Sequence, residues 1–267
     1  MADLYSTLTI ENRDAIEIVT LNRPDALNAL DPQMTADLNA YFGELHHRTA
    51  VRVVILRGAG RAFCAGLDIK AEGAASDETP VLRGYQTQTN IGDIYRKMRS
   101  CPQPIIALGH GAACGGGFSL MLAADVRYGA PSLKMNAAYI RIGLGGCDMA
   151  SSYFLPRLVG AALASELILT GRFIHAERAL HYGLISEIVE EEALLERGLA
   201  LAGEMLSTTP WGLRLSKQAL NLNLDAPSLD HAMAIEDRQQ VILAQTDDFR
   251  EAMGAFLDKR APEYRNR

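Results

Sequence analysis

Alternating apolar and polar residues near the N-terminus predict two strands with a helix between them. Residues 15–21 follow the two-residue period of a strand and are rich in β-branched side chains, and the apolar run at 51–56 predicts a second strand. Between them, Asp31 followed by Pro32 is a typical helix start. The apolar residues of this helix recur at intervals that place them on one face: Met34, Leu38, Tyr41, Phe42 and Leu45.

The rest of the chain continues this alternation and then becomes helical. A stretch with Gly, Ser and Pro at 71–83 predicts a loop, a helix spans about 85–100, and Gly115 to Gly117 open a further helix. Strands are predicted at 105–108, 126–128, 132–135 and 184–189. From about residue 149 onward the pattern is mostly helical. These elements indicate an α/β fold with a helical C-terminal appendix and no clear linker.

Composition narrows the class of protein. The chain has 267 residues, of which 48% are apolar and 22% charged, so it can bury a core and is not disordered as a whole. The 26 Lys and Arg residues against 32 Asp and Glu give a net charge of −6, which disfavours nonspecific binding to nucleic acid. A local group of Arg and Lys remains able to bind a small anionic ligand.

The cysteines and the N-terminus bear on the compartment in which the protein works. Cys64, Cys101, Cys114 and Cys147 are scattered without a CxxC pair, which favours buried free thiols in a reducing compartment over disulfides or zinc. The first residues, MADLYSTLTIENRD, include acidic side chains and lack the apolar segment of a signal peptide. We therefore expect a cytoplasmic protein.

Neither a metal site nor a membrane span is expected. The six histidines match no metal-binding spacing. The least charged stretch, 104–124, contains five glycines and His110, and glycine-rich backbone with an unpaired histidine makes a poor membrane helix. A buried strand, a turn and a short helix fit this stretch better.

Four segments resemble successive signatures of the enoyl-CoA hydratase/isomerase superfamily, also called the crotonase superfamily. They are LNRPDALNAL (21–30), GRAFCAGLDIK (60–70), GHGAACGGGFSLMLAADVRYGAP (109–131) and the segment 153–189, which ends in ELILTGRFIHAERALHYGLISEIV. The resemblance implies a crotonase-like spiral of ββα repeats over 1–200 and a helical trimerisation region over 201–267. It also implies an acyl-CoA substrate, no separate cofactor because coenzyme A is part of that substrate, and a homotrimer or a hexamer.

The resemblance further implies an oxyanion hole that consists of two backbone amides, those of Leu67 and Gly116. Enolate chemistry on a thioester places negative charge on the carbonyl oxygen, and losing one preorganised donor to that oxygen costs on the order of 3 kcal/mol. The Gly116 amide is expected at a helix N-terminus, where unpaired N–H groups favour an anion. The alternative is that the glycine triplet only permits close packing of a helix on a strand.

Coenzyme A contacts are implied at further positions. The residues that line the pocket in the family correspond here to Leu27, Ala65, Asp68, Ile69 and Gly115. Arg23, Lys70 and Lys259 are candidates to reach the phosphates, and the alternative for each of these three is an ordinary solvated surface charge.

The family pattern breaks at both positions where the hydratases carry a catalytic glutamate. This chain has Ser119 and Tyr139 there. A neutral hydroxyl with a pKa far above 7 cannot replace a carboxylate base, so the two-glutamate hydration mechanism is in doubt. Tyr139 either donates a hydrogen bond to the acyl group or forms a wall of an apolar pocket, and Ser119 is expected to line the pocket.

One carboxylate remains, at Asp148. Its segment resembles, with a one-residue insertion, the one that carries a catalytic aspartate in dienoyl-CoA isomerases and in 4-chlorobenzoyl-CoA dehalogenase. The alternative for Asp148 is a helix N-cap. The dehalogenases also use a histidine in the helix before the Pro-Ile strand. The corresponding stretch of this chain, near Gly92, has no histidine, so dehalogenation is disfavoured.

These observations lead to three hypotheses about function. The leading one is hydration or double-bond isomerisation of an enoyl-CoA through an enolate, with Asp148 as the proton carrier. The second is a CoA-thioester hydrolase that uses Asp148, and the third is a non-catalytic acyl-CoA-binding protein.

Overall fold

The computed structural model describes residues 4–71 and 78–267, which form nine strands and nine α-helices. The strands are β1 (Leu8–Arg13), β2 (Ile16–Leu21), β3 (Val53–Gly58), β4 (Ile105–Gly109), β5 (Ala112–Cys114), β6 (Val126–Gly129), β7 (Lys134–Asn136), β8 (Ile174–His175) and β9 (Glu187–Ile188). The helices are α1 (Pro32–Glu44), α2 (Pro80–Ser100), α3 (Gly116–Ala123), α4 (Ser151–Thr170), α5 (Ala176–His181), α6 (Leu194–Leu206), α7 (Pro210–Asn223), α8 (Leu229–Leu243) and α9 (Asp247–Asp258).

The strands form two sheets. The larger sheet has six strands in the order β1-β2-β3-β4-β6-β9, and every neighbouring pair except β1–β2 is parallel. The smaller sheet has the order β5-β7-β8. Strands β3 and β4 are buried along almost their whole length, as expected for parallel strands with both faces covered. The α/β class and the helical C-terminal region are confirmed.

Helix α1 begins where the sequence predicts. The Asp31 carboxylate accepts a hydrogen bond from the Met34 amide at 2.7 Å, and Pro32 occupies the first helical position. The predicted apolar face, including Leu38 and Phe42, is buried in the core.

Some predicted element boundaries are wrong. Helix α2 begins at Pro80, because the Thr79 hydroxyl accepts a hydrogen bond from the Leu82 amide and caps it, so 80–83 is helical. Residues 72–77 of the predicted loop lie outside the described residues. The strand predicted at 184–189 shrinks to β9, because only Glu187 and Ile188 pair with β6.

Helix α4 is apolar and long, with a mean hydropathy of 1.3 over an 18-residue window. Among the described residues it is the one helix long and apolar enough to cross a membrane by these measures. However, Gly160 has φ 78° and ψ 161°, which divides it into two shorter segments. Each segment falls well short of the roughly 20 residues that a membrane span needs.

The four cysteines are free, as their spacing predicts. Cys64 and Cys101 are buried and Cys114 is half-buried, whereas Cys147 is exposed, so the expectation of burial is wrong for Cys147. Burial raises the pKa of Cys64 to about 12, which keeps this thiol protonated at neutral pH.

Candidate active site

Two short segments that are distant in sequence lie side by side at the centre of the site. The Cys64 amide donates to the Ala112 carbonyl and the Cys114 amide donates to the Cys64 carbonyl, both at 3.0 Å. Gly66, with φ +97°, packs so closely that a Cβ there would lie 2.7 Å from the Cys114 carbonyl oxygen. Glycine is therefore required at this position both for its conformation and for this close approach.

The amides of Leu67 and Gly116 are unpaired within the part of the chain that the structure describes. Gly116 is the first residue of α3, so its N–H is one of the donors that a helix leaves without a partner. The two segments are close, since a Cβ at Gly66 would lie 3.5 Å from the Gly116 nitrogen. The predicted pair of donors is thus brought together, at a helix N-terminus that favours negative charge.

Ser119 and Tyr139 are in contact with each other. Their hydroxyl oxygens are 2.7 Å apart, and the Tyr139 hydroxyl donates to the Gly115 carbonyl at 3.0 Å. Both residues are buried, with Ser119 0% and Tyr139 4% exposed. Burial raises the pKa of Tyr139 further above its ordinary value, so the phenol is neutral at physiological pH.

A cavity of about 470 Å³ lies between α2, the start of α4 and the end of α7. Tyr95 and Met149 line it and also contact Gly116. The Tyr95 hydroxyl donates to the Gly116 carbonyl at 3.0 Å, and a Cβ at Gly116 would lie 3.2 Å from the Met149 sulfur. Tyr153 and Phe154 add aromatic surface to the wall. Tyr95 and Met149 are therefore shared by the wall of the cavity and the surroundings of Gly116.

Asp148 lies at the edge of this cavity. Its Oδ1 accepts from the Met149 amide at 2.7 Å and from the Gln88 side chain, and both of these residues line the cavity. Its Oδ2 has no hydrogen-bond partner among the described residues. Burial raises the pKa values of Tyr95 and Tyr139, and the negative charge of Asp148 adds to the increase at both phenols.

Asp148 is not the N-cap of α4. The cap position is Ala150, in the left-handed conformation with φ 62° and without a side-chain cap. The Asp148 amide instead donates to the Ser151 hydroxyl at 3.3 Å. The N-cap alternative for Asp148 is wrong, because the chain turns through Met149 and Ala150 before the helix begins.

The residues expected to bind coenzyme A fall into two groups. The first group lines the pocket and consists of Leu27, Ala65, Asp68 and Ile69, and the second group is basic and consists of Arg23, Lys70 and Lys259. Hydrogen bonds from the Ala65 amide to the Leu27 carbonyl (3.0 Å) and from the Asp68 amide to the Leu30 carbonyl (2.9 Å) place the first group beside Leu67. Ile69 follows directly and is 73% exposed.

The basic candidates differ in their surroundings. The Arg23 guanidinium is 3.0 Å from the Asp68 carboxylate and 3.2 Å from that of Asp31, so it already has two anionic partners. Lys70 is exposed beside Asp68. Lys259 is an exposed residue that ends α9, and its side chain has no hydrogen bond or ion pair to the described residues of the first group.

Sequence reasoning missed Gln88, Tyr95 and Met149. A signal for the first two was present, because positions 88, 92, 95 and 99 recur at helical spacing and face one side of α2. Met149 carried no such signal, since it precedes α4 in an irregular turn.

Comparisons with known proteins agree with this fold. The sequence pattern of the family described as enoyl-CoA hydratase/isomerase matches residues 11–267. The chain is 36% identical to a probable enoyl-CoA hydratase, EchA12, of Mycobacterium tuberculosis, over 94% of this chain and 90% of that protein. It is 32% identical to the 1,2-epoxyphenylacetyl-CoA isomerase of Escherichia coli, over 92% of this chain and 93% of the relative.

A solved structure is also similar to this chain in fold and in sequence. The putative enoyl-CoA hydratase from Streptomyces coelicolor A3(2) superposes with a TM-score of 0.93 at 36% identity, covering 100% of this chain and 97% of that one. The fold and these relatives thus define an acyl-CoA-processing enzyme of α/β architecture. The chain belongs to the enoyl-CoA hydratase/isomerase family, the crotonase superfamily.

Proposed function

We propose that the protein isomerises the double bond of an enoyl-CoA through a thioester enolate. The thioester carbonyl oxygen accepts hydrogen bonds from the amides of Leu67 and Gly116, which act as an oxyanion hole. Asp148 removes a proton from the carbon next to the thioester of a 3-enoyl-CoA, and the electron pair moves into a dienolate whose charge rests on the oxygen. The protonated Asp148 then returns that proton to the γ-carbon, which leaves a 2-enoyl-CoA.

The observation that carries this proposal is the Asp148 carboxylate, which is bonded to Gln88 and Met149 at the edge of a cavity whose lining residues Tyr95 and Met149 contact Gly116. Isomerisation moves one proton from one carbon to another, so a single carboxylate suffices. Hydration also requires that a water molecule be held and activated. The Ser119 and Tyr139 hydroxyls, which stand at the expected glutamate positions, are buried and hydrogen-bonded to each other and to backbone, and neither is a base at neutral pH.

A substrate panel tests the reaction. Purified protein is incubated with 3-enoyl-CoA, 2-enoyl-CoA and saturated acyl-CoA thioesters of several chain lengths, and the products are separated by liquid chromatography and mass spectrometry. We expect 3-enoyl-CoA and 2-enoyl-CoA to interconvert without a change in mass. Addition of water to the 2-enoyl-CoA as the sole reaction would identify a hydratase instead.

The same panel addresses the two other hypotheses. Release of free coenzyme A thiol would identify a hydrolase that uses Asp148. Saturable binding of the acyl-CoA thioesters with no turnover of any of them would identify a binding protein. Either result would contradict isomerisation.

For coenzyme A itself, we propose that Leu27, Ala65 and Ile69 line its pocket beside Leu67. Lys70 is the basic candidate nearest to this group in sequence, and Lys259 is a candidate from the C-terminal helices. This proposal is supported by the backbone hydrogen bonds that hold Leu27 against Ala65. It places the thioester at the end of the pocket that meets Gly115 and Gly116.

We also propose a homotrimer, alone or paired into a hexamer. The C-terminal helices expose large apolar side chains that a monomer leaves in water: Leu220, Leu229, Val241, Ile242, Phe256 and Leu257 are each at least 60% exposed. Exposed apolar surface of this extent is typical of an interface between subunits. Light scattering at micromolar concentration is expected to give three or six times the 29.0 kDa chain mass, and a stable monomer would contradict this.

A further inference from the structure

The Gly116 amide and the Gly115 carbonyl belong to the same peptide unit. That unit is planar, so its N–H and C=O groups point in opposite directions and turn together. A group that holds the Gly115 carbonyl therefore also sets the direction in which the Gly116 N–H points. The partners of that carbonyl decide whether the amide is fixed toward a bound oxygen.

The Gly115 carbonyl accepts two hydrogen bonds. One comes from the Ser119 amide at 3.0 Å, which is the backbone bond of the first turn of α3. The other comes from the Tyr139 hydroxyl, also at 3.0 Å. The Tyr139 ring packs against the same residue, since a Cβ at Gly115 would lie 3.5 Å from the ring. Any non-proline residue at 119 supplies the first bond, whereas the second depends on the phenol.

The direction of the hydrogens follows from the geometry. A carbonyl only accepts, so the single phenolic hydrogen of Tyr139 is used at Gly115, and the Ser119 hydroxyl 2.7 Å away donates to the phenol oxygen. The result is a series of two hydrogen bonds, from Ser119 to Tyr139 and from Tyr139 to the Gly115 carbonyl. In a buried site, consecutive hydrogen bonds polarise the groups that form them, and each bond becomes stronger. Electron density drawn toward the Gly115 oxygen makes the Gly116 N–H a better donor.

We propose that Tyr139 is a positioning residue for the oxyanion hole, which acts through the Gly115 carbonyl on the Gly116 amide and carries no substrate proton. This inference rests on the proposed function, because it requires the thioester carbonyl to bind at Gly116. The Leu67 amide is also fixed through the carbonyl of its own peptide unit. The Gly66 carbonyl, which shares a peptide unit with the Leu67 amide, accepts from the Leu30 amide at 2.7 Å.

Tyr139→Phe tests this role because it keeps the ring and removes the donor. The direct readout is the carbonyl stretch of a saturated acyl-CoA with a ¹³C-labelled thioester carbonyl, bound to the protein and measured by isotope-edited infrared spectroscopy. We expect the band of the bound thioester to move to higher wavenumber in the variant, toward its position in water. We also expect kcat for isomerisation to fall about tenfold, the effect of roughly one hydrogen bond, with little change in KM.

Tyr128→Phe is the matched control. Tyr128 is also 4% exposed, but it lies on β6 and makes no hydrogen bond to Gly115, Ser119 or Asp148 within the described residues. It should leave both kcat and the carbonyl band unchanged. Site-specific 3-fluorotyrosine at position 139 provides the opposite perturbation, because the more acidic phenol is a stronger donor, and it should move the band to lower wavenumber.

Three results would overturn the proposal. An unchanged carbonyl band in folded Tyr139→Phe would show that the phenol does not act on the Gly116 amide. Complete loss of turnover with an unchanged band would make Tyr139 a proton carrier. A wild-type protein that binds the labelled thioester but leaves its band at the position in water would overturn the oxyanion hole itself, and with it the proposed function.

Discussion

Asp148→Asn is expected to lower kcat for enoyl-CoA isomerisation by about 10²- to 10⁴-fold, because it removes the carboxylate that we propose as the proton carrier. The asparagine has the same shape, and its side-chain oxygen can still accept from the Met149 amide, as Asp148 does at 2.7 Å. Since Asp148 does not cap α4, the folding stability should change little. Steady-state kinetics on the 3-enoyl-CoA gives the loss of activity.

Proton exchange in deuterated water isolates the step that fails. The wild-type protein should exchange the acidic proton next to the thioester, and Asp148→Asn should not, while it still binds the acyl-CoA with unchanged affinity. Thermal unfolding and calorimetric binding of the acyl-CoA confirm that the variant is folded. Retention of both exchange and turnover in Asp148→Asn would show that another group carries the proton.

Leu67→Pro is expected to lower kcat at least about 100-fold, because proline lacks the N–H that stabilises the enolate oxygen. The Leu67 amide has no acceptor among the described residues, and the backbone bonds on either side of it use the Gly66 carbonyl and the Asp68 amide. The substitution therefore removes a donor that the fold itself does not use. Gly116 is a poorer place for this test, because a Cβ there would lie 2.7 Å from the Leu30 side chain.

Leu67→Ala is the matched control for this variant. The Leu67 residue is 41% exposed, so shortening its side chain keeps the amide and removes little core packing. We expect Leu67→Ala to retain activity within severalfold of wild type, with a similar melting temperature. If folded Leu67→Pro matched the activity of Leu67→Ala, the Leu67 amide would have no part in the reaction.

The local sequence was sufficient where the interactions are local. The Asp31 cap and Pro32 start α1, and they act within one helical turn. The Gly115 to Gly117 triplet starts α3 for a similar reason, because Gly115 adopts φ 50° just before the helix. The motifs that contain Leu67 and Gly116 likewise pointed to two amides that have no backbone partner among the described residues.

The sequence was insufficient where a partner lies far along the chain. Ser119 and Tyr139 were identified separately, and their contact depends on β7 and the 3-10 helix Ala138–Ile142 that follows it, which bring residue 139 back to α3. The boundary of α2 was missed for a different reason. The Thr79 cap lies among residues of low apolar periodicity, so the composition of that stretch indicated a loop.

By itself the sequence determined the α/β class and the family, because each is encoded in short motifs or in the periodicity of single elements. The two amides and the Asp148 carboxylate came from the same motifs as predictions about the site. Only the tertiary structure decided what surrounds them. It placed Tyr95 and Met149 beside Gly116, turned Asp148 away from capping α4, and joined Ser119 and Tyr139 to the Gly115 carbonyl. These contacts link residues from 20 to 54 positions apart, and capping, periodicity and turn signals act only over about one helical turn or one strand.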